Sequence, residues 1–218
     1  MSDHSGTLAP RGVEHVEATL PLSLLCAVFV LSGFAALTYQ VVWQRSLCAI
    51  YGVDIQSTTI VVTAFMLGLG LGSLAGGALS TSPRRQPVVW FGMIEIAIGI
   101  FGLCSLPLFR WIGGFTAGAS RPATFAASFL LLLIPTALMG ATLPLLTTHA
   151  VRRLRNVGRS VGMLYFVNTL GSAMASFVTA VYLLGQFGQS GTVVIAAATN
   201  ALVGGSVLLA YLVARRAS

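Results

Sequence analysis

The sequence predicts an all-α, polytopic membrane protein with six transmembrane helices, and two observations carry this prediction. Of its 218 residues, 56% are hydrophobic and only 8% are charged, which leaves too little polar surface to cover a water-soluble globule of this size. The apolar residues form six long stretches without the period-two alternation of membrane β-strands. We therefore expect a bundle of helices whose solvent is the lipid bilayer.

Each apolar stretch provides about 20 residues or more, the number that a helix needs to cross a hydrocarbon core about 30 Å thick. The predicted spans are residues 20–42, 56–79, 88–109, 123–148, 160–184 and 192–213. Residues 19–214 thus form one membrane domain. The polar residues 1–18 predict a flexible cytoplasmic tail, and residues 215–218 predict a second, short one.

The basic residues predict the orientation, and all twelve of them are arginines. Nine belong to the tails and to the turns after spans two and four, namely Arg11, Arg84, Arg85, Arg152, Arg153, Arg155, Arg159, Arg215 and Arg216. The opposite side has only Arg45, Arg110 and Arg121. By the positive-inside rule, we expect both termini on the cytoplasmic side of the plasma (inner) membrane. The net charge of +7 then reflects topology and anionic lipid rather than nucleic acid.

Span one closes in a polar cluster that includes Tyr39, Gln40 and Gln44. The two glutamines lie one helical turn apart and form a polar face that lipid would not tolerate, so we expect them to face the bundle interior. Trp43, between them, is the residue type usual for an interfacial anchor.

Span two is marked by glycine. Gly68, Gly72 and Gly76 recur at intervals of four residues, which places them on one face of a helix. Small residues in this pattern let two helix backbones approach closely where lipid supplies no hydrophobic drive. The stripe predicts tight helix packing, and a transport hinge is the alternative.

Span three carries Glu95, the only ionisable group well inside a predicted span. It lies about seven residues from the start of the span, or roughly 10 Å along the helix. A charged carboxylate at that depth must face protein or water. Two interpretations remain open. Glu95 is either a proton acceptor or counter-ion for a cation, or a structural hydrogen-bond partner.

The later spans add fewer polar groups. His149 ends span four beside the arginines and is interpreted as an interfacial residue with a satisfied hydrogen bond. In span five, we predict that Tyr165, Asn168, Thr169 and Ser172 form an inward polar stripe. The three cysteines lack the spacing of metal ligands, so we expect no metal site and no cofactor.

Four ordered segments resemble one family, the integral membrane spermidine synthase-like proteins, also described as fused major facilitator/spermidine synthase proteins. These segments are residues 31–45 (LSGFAALTYQVVWQR), 64–73 (AFMLGLGLGS), 139–145 (MGATLPL) and 158–171 (GRSVGMLYFVNTLG). The resemblance covers nearly the whole chain. It implies a six-helix unit similar to half of a major facilitator fold and a role in polyamine-type metabolism.

In that family the pattern usually continues into a cytoplasmic aminopropyltransferase-like domain. Here the sequence ends two residues after Arg216, and no βαβ unit with a Gly-rich loop precedes that point. With only five acidic residues, the chain also offers no paired carboxylates for amine deprotonation. We therefore expect no catalytic residues and no self-sufficient enzyme.

Two functions are compatible with these observations. In the first, the chain is a non-catalytic membrane module that anchors or feeds a separately encoded aminopropyltransferase-like partner. In the second, it is a half-size transporter that becomes complete as a homodimer and uses Glu95 as a site for a proton or a small cationic substrate.

Overall fold

The computed structural model describes residues 20–52, 54–81, 86–116, 118 and 120–216. These residues form no β-strand, which confirms the all-α prediction. The helices are α1 (Leu22–Tyr51), α2 (Asp54–Ser80), α3 (Pro87–Phe115), α4 (Arg121–Leu154), α5 (Val157–Val178) and α6 (Leu184–Arg216), with a π-helical segment, Thr179–Leu183, between the last two. The predicted tail 1–18, with Arg11, and the pair Arg84 and Arg85 lie outside the described residues. Helix α6 includes Arg215 and Arg216, which we had assigned to the second tail.

Five helical stretches of the described chain are long and apolar enough to cross a membrane, not the six that we predicted. Four of them correspond to predicted spans one to four. The fifth runs from Val157 to Arg216 and contains both remaining spans in 60 residues. The predicted turn between residues 184 and 192 was wrong, because this segment is almost entirely helical. A straight helix of this length would measure about 90 Å, far more than one bilayer crossing needs.

The fifth stretch reverses direction near Gly188. This glycine has φ 62° and ψ −173°, a backbone region that essentially only glycine occupies. Before Gly188, the fifth stretch runs parallel to α1. Three contacts show this direction: Phe29 with Asn168, Gly33 with Ser172 and Thr38 with Thr179. After Gly188, Gln189 contacts Ser46, and α6 then descends along α3, with Ala197 beside Gly99 and Leu208 beside Gly92.

The same kind of contact gives the direction of the other helices. Helix α3 runs parallel to α1, because Ser32 contacts Glu95 and Trp43 contacts Ser105. Helices α2 and α4 run parallel to each other, and the end of α4 meets the start of α1, where Arg153 donates a hydrogen bond to the carbonyl oxygen of Leu20. Helices α1, α3 and α5 therefore point one way, and α2, α4 and α6 point the other way.

Two ends of the bundle can thus be distinguished. The end that contains Leu20 also contains the last turn of α4 and the last turn of α6, so it holds the basic residues Arg152, Arg153, Arg215 and Arg216. The opposite end contains Ile50, which contacts Gly113 of α3, together with Arg45 and Arg110. We name these the Leu20 end and the Ile50 end.

Trp43 of α1 lies at the centre of the aromatic packing and is fully buried where α1 meets α2 and α3. Its ring stacks on Tyr39 at a centroid distance of 5.2 Å and meets Phe65, Phe101 and Phe109 at about 6 Å. The indole Nε1 donates a hydrogen bond to Ser105 Oγ at 2.9 Å, so the polar edge is satisfied inside the bundle. The interpretation of Trp43 as an interfacial anchor was wrong, because side chains of α2 and α3 enclose its ring inside the bundle.

The glycine stripe of α2 lies against α4. All three glycines are buried, and a Cβ at Gly68 would overlap Thr136, whereas one at Gly72 would overlap the carbonyl oxygen of Ala137. A Cβ at Gly76 would come within 2.7 Å of Ala141 Cα, closer than side-chain atoms tolerate. Thr136 also donates a hydrogen bond across the interface to the carbonyl oxygen of Ala64 at 3.1 Å. The two backbones therefore approach each other as closely as glycine allows.

Candidate intramembrane polar site

Glu95 lies at the junction of α1, α3 and α6 and is fully buried. Ser32 Oγ of α1 donates a hydrogen bond to Glu95 Oε1 at 2.6 Å. Asn200 Nδ2 of α6 donates a hydrogen bond to Glu95 Oε2 at 2.7 Å. Each carboxylate oxygen thus accepts from a different neighbouring helix, and one side chain of α3 connects three helices. We name Ser32, Glu95 and Asn200 the carboxylate cluster.

Two buried polar atoms near the carboxylate cluster have no hydrogen-bond partner among the described residues. They are Asn200 Oδ1, whose amide nitrogen already engages Glu95, and the hydroxyl of Tyr39, a side chain with no exposed surface. Tyr39 is close enough to Glu95 for an electrostatic interaction. A carboxylate offers about four acceptor positions, and two of them are used here. The cluster therefore retains unused capacity for hydrogen bonding.

Glycine makes room for this arrangement on α3. A Cβ at Gly102 would overlap the Tyr39 ring and hydroxyl, so only glycine leaves room for the tyrosine side chain against α3. One turn earlier, a Cβ at Gly99 would lie 3.3 Å from Asn200 Cβ. Glu95, Gly99 and Gly102 therefore form one face of α3, on which Asn200 and Tyr39 rest.

The predicted glutamines occupy a different level of the bundle. Gln40 is half-buried and makes no hydrogen bond to another described residue. Gln44, also half-buried, donates through Nε2 to Thr58 Oγ1 at 2.9 Å and so connects α1 to the start of α2. Neither glutamine contacts Glu95. The structure places them nearer the Ile50 end, and they do not complete the carboxylate cluster.

The stripe predicted on α5 is only partly inward. Asn168 donates a hydrogen bond to the carbonyl oxygen of Phe29 at 3.3 Å, and Ser172 donates one to that of Gly33 at 3.1 Å. Tyr165, by contrast, is 63% exposed, and Thr169 is exposed as well. The physical reason is rotation: Tyr165 follows the buried Leu164 by one residue, about 100° around the helix. Asn168 thus holds α5 against α1, whereas the Tyr165 side chain lies outside the interior of the bundle.

The remaining residues singled out in the sequence are His149 and the three cysteines. His149 Nε2 accepts the backbone N–H of Leu20 at 3.2 Å, at the Leu20 end of the bundle. Cys26 and Cys48 are half-buried, whereas Cys104 is exposed. Within the described part of the chain, no three His, Cys, Asp or Glu side chains come close enough together to hold a metal ion.

Sequence reasoning found Glu95 but missed both of its partners. Ser32 was noted only as part of a motif, and Asn200 was not singled out at all. An asparagine amide inside an apolar span is costly unless it is paired, and that cost was the signal available for Asn200. The pairing itself spans 105 positions of sequence, so it depends on tertiary structure.

Comparison with known proteins finds two similar sequences of Streptomyces coelicolor. Polyamine aminopropyltransferase 1 is 27% identical over 186 residues, which are 83% of this chain and 32% of that protein. Polyamine aminopropyltransferase 2 is 27% identical over 210 residues, which are 94% of this chain and 37% of that protein. The chain thus spans about one third of the length of these curated relatives. No family model and no solved structure matches it.

Proposed function

We propose that this chain is an integral membrane module of polyamine-type metabolism, which anchors or feeds an aminopropyltransferase-like partner. The observation that carries the proposal is the coverage of the similarity. Nearly all of this chain aligns with only about one third of two proteins named polyamine aminopropyltransferases. In this proposal the aligned third is a helical membrane part, and transfer chemistry belongs to a different polypeptide segment.

The fold supports six crossings of the bilayer. Four stretches have the length of one crossing, and the fifth doubles back at Gly188, so that its two halves pack along α1 and α3. In this proposal α5 and α6 are two crossings joined at the Ile50 end. The Leu20 end, which holds the basic last turns of α4 and α6, faces the cytoplasm of a plasma (inner) membrane, and both termini lie there.

The carboxylate cluster fits the role of a scaffold. Donors from two helices engage the two oxygens of Glu95, and the glycine stripe fixes α2 against α4. Such contacts hold helices in one arrangement, which is what a membrane anchor requires. The six helices also equal one half of a major facilitator-type unit, a likeness that remains part of the proposal.

A second candidate function is a half-size transporter that acts as a homodimer. The two unpartnered oxygens, Asn200 Oδ1 and the Tyr39 hydroxyl, favour it, because buried polar atoms beside a carboxylate are suited to a proton or a small cation. In this alternative Glu95 is the ion-binding residue. Uptake of labelled spermidine by proteoliposomes that contain only this chain would favour transport over anchoring.

The anchoring proposal predicts a specific partner in the native membrane. We expect that the tagged full chain, isolated in mild detergent, carries a stoichiometric protein with aminopropyltransferase activity, since the membrane module supplies none in this account. Mass spectrometry identifies the partner, and an assay for transfer of an aminopropyl group to putrescine checks the eluate.

The control for this experiment uses the basic turn between α4 and α5. Serine in place of Arg155 and Arg159, both exposed at the Leu20 end, should release a partner that docks on the cytoplasmic side. Serine in place of Arg110, at the Ile50 end, should not release it. An eluate that contains only copies of this chain and has no transfer activity would contradict the anchoring function.

A further inference from the structure

A cavity of about 350 Å³ opens at the Ile50 end, away from the carboxylate cluster. It lies between α1 and the turn of the fifth stretch and is lined by Arg45, Ala180, Leu184, Gly185, Gly188 and Gln189. Its volume is in the range of small-molecule sites. Neither the anchoring function nor the transport alternative uses it.

The polar side chains of the cavity are donors. Arg45 contributes an exposed guanidinium, which is always charged and has five N–H groups in a planar fork. Gln189 is fixed by Ser46, whose Oγ donates to Gln189 Oε1 at 2.6 Å. That bond occupies the amide oxygen and leaves the Gln189 Nε2 hydrogens as the free polar end of the side chain. The lining thus combines one positive charge with two sets of N–H donors.

Arg45 has no carboxylate partner in the described part of the chain. Glu95 is the only acidic residue whose side chain the structure describes, and Ser32 and Asn200 engage its oxygens. Among the described residues, no carboxylate neutralises the Arg45 guanidinium beside the cavity.

The backbone around the cavity is unusual in two independent ways. The π-helical segment Thr179–Leu183 contributes Ala180, and π-helical turns occur frequently at functional sites. Gly188 interrupts the helix, so that one helical run ends and the next begins in the wall of the cavity. Both features place irregular backbone beside Arg45, in the wall of the cavity.

We propose that this cavity binds a phosphate-type anion through the Arg45 guanidinium and the Gln189 amide. An arginine fork matches two phosphate oxygens, and the position at one end of an apolar bundle is the level at which lipid phosphates lie. The phosphate belongs either to a phospholipid headgroup or to a free anion. The inference is independent of the proposed function, because the site lies at the end of the bundle opposite the proposed partner.

Two measurements on the purified full chain separate these sources. Native mass spectrometry compares the retention of phosphatidylglycerol with that of the phosphate-free dioleoylglycerol. Thermal unfolding in detergent is followed as inorganic phosphate is added. Arg45→Gln removes the charge, and Arg110→Gln is the matched control, because Arg110 lies at the same end but does not line the cavity. Gly185→Leu fills the cavity and retains Arg45, and a Cβ at Gly185 meets open space.

We expect wild type and Arg110→Gln to retain phosphatidylglycerol, and Arg45→Gln and Gly185→Leu to bind it about tenfold more weakly. A melting temperature that rises with phosphate in wild type, but not in Arg45→Gln, would assign the site to a free anion instead. Equal behaviour of wild type and Gly185→Leu in both measurements would overturn the proposal, even if Arg45→Gln failed to fold. An Arg110→Gln loss as large as that of Arg45→Gln would overturn it as well.

Discussion

Glu95→Leu is expected to destabilise the bundle strongly. Leucine removes both acceptors at once and leaves the Ser32 hydroxyl and the Asn200 amide buried without partners on α1 and α6. An unsatisfied buried donor costs about 1 to 3 kcal/mol, so the two together should lower the free energy of unfolding by about 2 kcal/mol or more. The melting temperature in detergent measures this loss.

Glu95→Gln is the matched variant, and we expect it to unfold close to wild type. The glutamine oxygen can accept from Ser32, and its amide group can donate to Asn200 Oδ1, which lacks a partner in the structure, once the asparagine amide turns. If Glu95 binds a proton or cation, spermidine uptake falls in this variant although its stability is retained. A Leu variant as stable as wild type would contradict the scaffold role of Glu95, and a Leu variant with unchanged spermidine uptake would contradict its role in transport.

Gly72→Leu is expected to have the second large effect. Any Cβ at this position overlaps the carbonyl oxygen of Ala137, a backbone atom that cannot rotate away, so α2 and α4 must separate. Overpacking of this kind costs typically 1 to 3 kcal/mol, and the full leucine side chain adds to it. We expect a clear fall in the monodisperse fraction after size-exclusion chromatography in detergent.

Gly70→Leu is the control for the glycine stripe. Gly70 belongs to the same helix, two residues earlier, but it is exposed, and a Cβ there meets nothing within 4 Å. Its substitution should leave the yield of folded protein nearly unchanged, because a leucine on that face would displace no neighbouring helix. Equal losses for the two variants would mean that close packing of α2 on α4 does not support the fold.

The sequence was most informative where the spacing or the type of a residue restricts its environment, as for the glycine stripe and Glu95. Four-residue glycine intervals define one face of a helix, so the existence of a stripe was readable, but its neighbour α4 was not. Glu95 was conspicuous because a carboxylate in an apolar span has few tolerable environments. Its partners Ser32 and Asn200 lie in helices whose positions only the tertiary structure gives.

Two errors have local causes. Tyr165 was placed inward because it lies near Asn168 on the predicted helix, yet α5 turns its Leu164 and Gly171 face toward α1, and this rotation is not encoded in polarity alone. Predicted spans five and six lie in one helical stretch, because the chain reverses at a single residue, Gly188, and the residues on both sides of it are helical. Turn prediction from sequence relies on a polar segment between two apolar ones. Residues 185–191 form only a short segment of this kind, and the structure shows it to be mostly helical.

Membrane topology tests the central claim most directly. Fusions of alkaline phosphatase and of green fluorescent protein are placed after Gly188 and after Ser218, with fusions after Gly118 and Asn156 as references for the two ends of the bundle. If α5 and α6 cross separately and both termini are cytoplasmic, as the account proposes, phosphatase activity is expected after Gly188 and Gly118, and fluorescence after Ser218 and Asn156. The same reporter signal after Gly188 and after Ser218 would contradict six crossings and the membrane module built on them.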